Sequence, residues 1–225
     1  MSVVTFQIAK PWQVRLPILI RYLEKKWIDR FFECGELMLS SFSQFRKHSD
    51  EQRHDPHEGA SVLDIRFGEQ PLSGIAFFGS DAYVLCGSMI ESLDLMAQFP
   101  GCDDYFCITD TIGFASAVAN SIPGFIGGFQ GACIYRDERI VQRKIDGPPL
   151  FVPPDANQSF DPEKSLHEMN RRVFEAAALE PFFFKPVSYA HQGEYRLIWT
   201  VSGMALRGFM WSRTRKCIIL GRIVF

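Results

Sequence analysis

The sequence predicts one domain of the α+β class, on three observations. Short apolar runs of strand length recur along the chain. Two segments carry the spacing of an amphipathic helix. And 225 residues, 47% of them hydrophobic and 21 of them phenylalanine, supply a sizeable core with no linker-like stretch to divide it. The predicted domain spans 1–225, with a surface excursion over about 146–162, where five of the 13 prolines fall.

The elements read in order. Pro17 to Leu23 is an apolar run that predicts a strand. Glu24 to Cys34 places Trp27, Ile28, Phe31 and Phe32 on one helical face, and Gly35 suits the cap that ends it. Glu36 to Ser41 predicts a second strand. Ala82–Gly87, Asp104–Thr109 and Ala132–Tyr135 have strand length and composition, and Phe114–Asn120 predicts a helix between two of them. The glycines between Pro123 and Gly131 predict a turn-rich connection. Pro162 sits where a first-turn proline belongs, ahead of a helix over 163–179. Strands are expected again at Phe182–Lys185, Glu194–Val201 and Cys217–Val224.

Composition excludes several classes of function. A formal net charge of −2, from 24 basic and 26 acidic residues, gives no global field for nucleic acid or an anionic membrane. No apolar run approaches the roughly 20 residues a membrane span needs, and no charged leader precedes one. The six cysteines (Cys34, Cys86, Cys102, Cys107, Cys133, Cys217) form no C-x-x-C pair and predict reduced, buried thiols in a cytoplasmic protein. The P-loop and G-x-G-x-x-G phosphate motifs are absent, as are H-E-x-x-H and G-x-S-x-G.

Chemistry concentrates in two polar islands. The first, Arg46 to Gly59, holds Arg46, Arg53, Asp50, Glu51, Asp55, Glu58 and three histidines. Three readings stand open for it. His54, Asp55, His57 and Glu58 are of the types that bind Zn²⁺ or Mn²⁺. Arg46 or Arg53, oriented by Asp55 and Glu58, could hold an anion such as a pyrophosphate. Or the segment is a solvated surface salt-bridge network. In the second island, His191 to Arg196, strand alternation puts Glu194 and Arg196 on the face opposite Leu197 and Trp199, so each borders the core or a cleft. Arg196 could neutralise Glu194 there. Arg21, after the apolar run Pro17–Ile20, is either a strand-end residue or a ligand contact.

Several of these segments together carry a resemblance: Ile20-Arg-Tyr-Leu23, Phe32-x-x-Gly-Glu-Leu-x-Leu-Ser-Ser41, Phe45-Arg46, Asp50-Glu-x-Arg-x-Asp-x-x-Glu-Gly59, Phe184-Lys185 and Glu194-Tyr-Arg196. They resemble a widespread, poorly characterised bacterial family and, more distantly, the ADP-ribosyltransferase superfamily. The second likeness implies a split or curved, mostly antiparallel sheet core with flanking helices, and NAD as the bound nucleotide. It implies that Arg21 holds the NAD phosphates, that Ser40 or Ser41 supports the nicotinamide side, and that Glu194 stabilises the developing oxocarbenium ion. Tyr22, Phe42 and Phe45 are the candidates for stacking on nicotinamide. Arg46 and Arg53 complete the implied nucleotide contacts, and Asp55, Glu58, Lys185 and Arg196 the surrounding polar groups. Two positions depart from the superfamily's pattern. Leu39-Ser-Ser-Phe42 replaces Ser-Thr-Ser, and Arg196 stands where a second glutamate is common, which points away from arginine-modifying chemistry.

The leading expectation is therefore an NAD-consuming transferase acting on a nucleic acid or protein, of the toxin or phage-defence type. The alternative is a non-catalytic domain that senses a nucleotide or binds a protein partner. A metal-dependent nuclease using Asp50, Asp55 and Glu58 is the third.

Overall fold

The computed structural model describes residues 16–47, 55–79, 82–151, 161–201 and 217–219. Its first strand, β1 (Leu19–Leu23), leads into helix α1 (Lys25–Cys34), which buries Ile28 and Phe31 and stops at Gly35. Gly35 has φ 70°, a left-handed conformation that glycine adopts without steric cost, and its N–H caps carbonyls of the last turn.

The strand expected over Glu36–Ser41 is broken at Leu39, because its two halves serve different sheets. β2 (Glu36–Met38) pairs with β13 (Cys217–Ile219), whereas β3 (Ser40–Ser41) pairs with β6 (Ala82–Ser88). A one-turn helix, α2 (Phe42–Phe45), follows β3 and is started by a reciprocal cap between Ser41 and Gln44.

Six further strands and the remaining helices complete the main layers. β4 (Ala60–Phe67) and β5 (Gln70–Phe77) form a hairpin, and β10 (Ile140–Ile145) runs parallel to β4, giving the three-stranded order β10-β4-β5. The large sheet runs β7-β1-β6-β12-β8, with β7 at Asp104–Ile108, β8 at Phe125–Ala132 and β12 at Glu194–Val201, and every pairing in it is antiparallel. The helices are the short α3 (Leu93–Met96), α4 (Thr111–Ala119) and α5 (Pro162–Ala177). Asp161 caps α5 with Pro162 in its first turn, as the sequence predicts. Two-residue strands β9 (Ile134–Tyr135) and β11 (Phe184–Lys185) pair in parallel. None of the described helices is long and apolar enough to cross a membrane.

The mixed class with a curled, mostly antiparallel sheet is as predicted, in one compact domain. One face of the large sheet, through Leu19, Leu85, Leu197 and Trp199, packs on Ile28 and Phe31 of α1 and Phe114 and Val118 of α4. The other face, through Val84 and Ile198, packs on Phe42, Phe182 and Phe184 and on Leu63, Ile65, Phe67 and Val141 of the small sheet. Phenylalanines thus fill the space between the two sheets.

Several local expectations are corrected. The stretch 123–131 is not a turn-rich connection but most of strand β8. Glycine is used there for close approach, since a Cβ on Gly128 would lie 2.8 Å from the Ile198 carbonyl oxygen. Phe182 closes a 3-10 turn instead of opening a strand, so β11 begins only at Phe184. Only Ile134–Tyr135 of the run expected at 132–135 forms a separate strand. Of the run expected at Cys217–Val224, residues 217–219 form a strand and 220–224 lie outside the described residues. Five cysteines are described and free, and of these only Cys133 is buried; Cys34 and Cys107 are exposed, Cys86 and Cys102 partly so, and the Cys217 side chain lies outside the described part.

Candidate functional site: a cleft at a split in the large sheet

One edge of β6 is fully paired with β12, and the opposite edge is shared. β1 reaches it at the upper end, where Ile20 pairs with Ser88, and β3 at the lower end, where Ser40 and Ser41 pair with Val84 and Tyr83. Between them, at Leu85–Gly87, neither strand supplies ladder hydrogen bonds. Arg21 reaches into this gap, and its Nη1 donates to the Cys86 carbonyl at 2.6 Å. A buried strand carbonyl without a partner is costly, so an arginine here both fills the split and satisfies it.

A cleft of about 690 Å³ opens over the split. Arg21, Tyr22, Ser40, Phe45, Glu58, Lys185, Glu194 and Arg196 all line it, so the amino-terminal arginine, a serine of β3 and the late glutamate share one cavity. Among the described residues, five basic side chains line the cleft (Arg21, Lys26, Lys47, Lys185, Arg196) against three carboxylates (Glu24, Glu58, Glu194). Half-buried Trp27, Phe45 and Phe99 give it aromatic wall.

Its floor is a buried ionic cluster. Arg196, only 1% exposed, donates from Nε to Glu194 Oε1 at 2.6 Å and from Nη1 to Glu58 Oε1 and the Phe182 carbonyl, each at 2.7 Å. The Lys185 ammonium binds the other oxygen of Glu194 and donates to Gln192 Oε1 at 2.8 Å. The Glu194 backbone N–H donates to the Tyr135 hydroxyl at 2.6 Å. Strand alternation produces the cluster: Glu194 and Arg196 lie on the face opposite Leu197 and Trp199, and β11 brings Lys185 alongside.

Electrostatics separate the two glutamates. Burial alone pushes the Glu194 carboxyl up, but Lys185 and Arg196 together hold it well below the usual carboxylate range, so it is ionised. Burial also pushes Glu58 up, and here Arg196 opposes it without reversing it. Lys185 follows its partner: burial lowers its pKa, and Glu194 raises it further above the ordinary value. Burial pushes the Tyr135 phenol up to about 12. Glu58→Gln is therefore expected to cost less than Glu194→Gln at neutral pH, because burial already pushes the Glu58 carboxyl toward its neutral form and the amide keeps an oxygen for Arg196; urea titration of the two variants measures it, and an equal or larger loss for Glu58→Gln would show that Glu58 is as firmly ionised as Glu194.

In the described part of the first island two acidic residues are core groups. Asp55 and Glu58 are 3% and 2% exposed. Asp55 is bound by Arg139, which also donates to the His57 carbonyl, and Asp55 accepts the His57 N–H. Arg46 donates to the Glu58 carbonyl at 2.6 Å and stacks over Phe77, away from the cleft lining. The carboxylates of Asp55 and Glu58 are each engaged by an arginine, and among the described residues no three His, Cys, Asp or Glu side chains converge on a metal position. Asp50, Glu51, Arg53 and His54 lie outside the described residues.

Other predicted contacts have structural work. The Tyr22 hydroxyl donates to the Ile90 carbonyl and accepts from the Ser92 N–H, and its ring packs on Phe99. Ser41 lies outside the lining and caps α2. Phe42 is fully buried beneath the Arg196 guanidinium, a core residue that cannot stack on a ligand. The sequence reading missed Arg139, whose only signal was its place before the β10 run, and Gln192, which sat unremarked inside the second island. Compared with known protein families, with curated proteins and with solved structures, the chain matches none.

Proposed function

We infer that the chain binds an anionic nucleotide in the cleft over the split sheet. The observation that carries this is the joint lining by Arg21 and the ionic cluster. Among the described residues the lining holds five cations and three carboxylates, with Glu24 paired to Lys26, Glu58 to Arg196, and Glu194 to Lys185 and Arg196, a formal excess of positive charge. Such a field favours phosphate, for which a guanidinium is the best-shaped donor. Trp27, Phe45 and Phe99 offer faces to a base. The volume lies in the range of about 300–1,000 Å³ common for cofactor and ligand sites.

NAD⁺ is the nucleotide to try first, because an arginine on the first strand, a serine strand after a helix and a late glutamate follow the order of the ADP-ribosyltransferase superfamily. Transfer of ADP-ribose to a nucleic acid or protein, in a bacterial toxin or phage-defence setting, is the second reading. It is favoured by Glu194 and Arg21 lining the same cleft. It ranks below binding alone because both Glu194 oxygens are engaged by cations, which weakens the negative field an oxocarbenium ion would need.

Calorimetry with NAD⁺, ATP and mononucleotides tests the inference. Binding is expected, with Arg21→Ala weakening it about 10- to 100-fold, the scale of a lost charge-assisted hydrogen bond. Bound ligand should also shield Cys102, a partly exposed thiol in the lining, from alkylation read by mass spectrometry. Failure of every nucleotide to bind would remove the reading. Nicotinamide release with cell extract, abolished by Glu194→Gln, would select the transferase; binding without turnover selects the sensor.

A further inference from the structure

Among the described residues the three-stranded sheet ends in an open edge, and its chemistry fits a copy of itself. We propose that the chain forms a two-fold dimer by antiparallel pairing of β5 with β5 of a second copy.

Backbone register defines the edge. Phe78 N–H donates to the Gly59 carbonyl at 2.8 Å, so in this antiparallel ladder the even-numbered residues of β5 bond to β4. The N–H and C=O groups of Ser73, Ile75 and Phe77 then point away from β4, and no other described strand pairs with β5. Pro71 has the same parity, and its missing N–H therefore costs the β4 ladder nothing.

Edge strands are normally protected by charge or shortness. β5 is eight residues long, Gln70–Phe77, and carries no charged side chain. Its outward side chains extend an apolar row across the sheet, Ile140 beside Val62 beside Ile75, with Phe77 two positions further along the edge strand. Val62, Ile75 and Phe77 are 42%, 70% and 57% exposed.

A second copy is the occupant that matches this edge. With Ile75 on the two-fold axis, Ile75 pairs with its own equivalent and Ser73 with Phe77 in both directions, so every outward N–H of the strand meets a carbonyl. Pro71 then falls beyond the paired stretch; centring on Ser73 instead would set Pro71 opposite Ile75 and waste a hydrogen bond. No like charges are brought face to face. The Ile140-Val62-Ile75 rows of the two copies join into one stripe. Arg46, over the Phe77 ring, comes to the row where the other copy presents Asp64. The contact is isologous and closes on itself.

Light scattering coupled to gel filtration, with sedimentation equilibrium, tests this on the full chain. The expected mass is twice the 25.7 kDa of one chain. Ile75→Pro removes an N–H that β4 does not use, and Ile75→Lys sets two like charges on the axis; both are expected to halve the mass and leave the circular dichroism spectrum unchanged. Ile112→Lys, on exposed α4 surface, should remain dimeric. A wild-type protein that is monomeric at every concentration, or a dimer that survives Ile75→Lys, would overturn the proposal, and a monomer that takes up an unrelated strand peptide on this edge would assign it to a foreign partner.

Discussion

Arg196→Met is expected to cost about 3–5 kcal/mol of unfolding free energy, the usual penalty for removing one partner from a buried ion pair. Methionine fills much of the volume over Phe42, so packing contributes little to the loss. What disappears is the cation between two buried carboxylates and the donor to the Phe182 carbonyl. Glu194 keeps Lys185, but Glu58 is left in the core with no cation on its carboxylate, and burial already pushes that carboxyl up. Domains have only about 5–15 kcal/mol to lose, so the variant should sit near its unfolding midpoint in mild urea. Protonating Glu58 relieves the penalty, and the deficit should shrink as pH is lowered. A loss under about 1 kcal/mol in urea titration would mean that water enters the cluster.

The parts of this fold that were legible in the sequence are those fixed by neighbours in the chain. α1 could be read because Ile28 and Phe31 fall on one face and Gly35 supplies the left-handed cap, and α5 because Asp161 and Pro162 start it. β12 could be read because Leu197 and Trp199 alternate with Glu194 and Arg196. The β4–β5 hairpin also had a signal, Leu63-x-Ile65-x-Phe67, but the interleaved Val62 hides the alternation. β8 had none: Gly127, Gly128 and Gly131 look like turn residues, and only the closeness of β12 explains them.

Site residues divide in the same way. That Glu194 and Arg196 border a cleft follows from strand alternation. That Asp55 and Glu58 are core groups does not, since their charges are met by Arg139 and Arg196, 84 and 138 residues away. Polar density in sequence reads as solvation unless the distant cation is known. The split at Cys86 is equally non-local, because it needs β1, β3 and β6 to be placed before Arg21 has a gap to fill.

Glu194→Gln should be the most damaging single-atom exchange in the cleft, again by about 3–5 kcal/mol at neutral pH, and its pH dependence distinguishes it from a simple packing defect. The amide keeps the shape but leaves Lys185 and Arg196 sharing only Glu58, a net positive charge in the core. In the wild type the Glu194 carboxyl is held below its unfolded value of about 4.3, so it binds protons less readily folded than unfolded. Its contribution is therefore complete above that value and is lost as pH falls through the folded pKa. Glutamine cannot titrate, so the gap between wild type and variant should be widest near pH 7 and close toward acid, read from urea midpoints across that range. A gap constant with pH would mean that Glu194 is neutral or solvated in the folded protein.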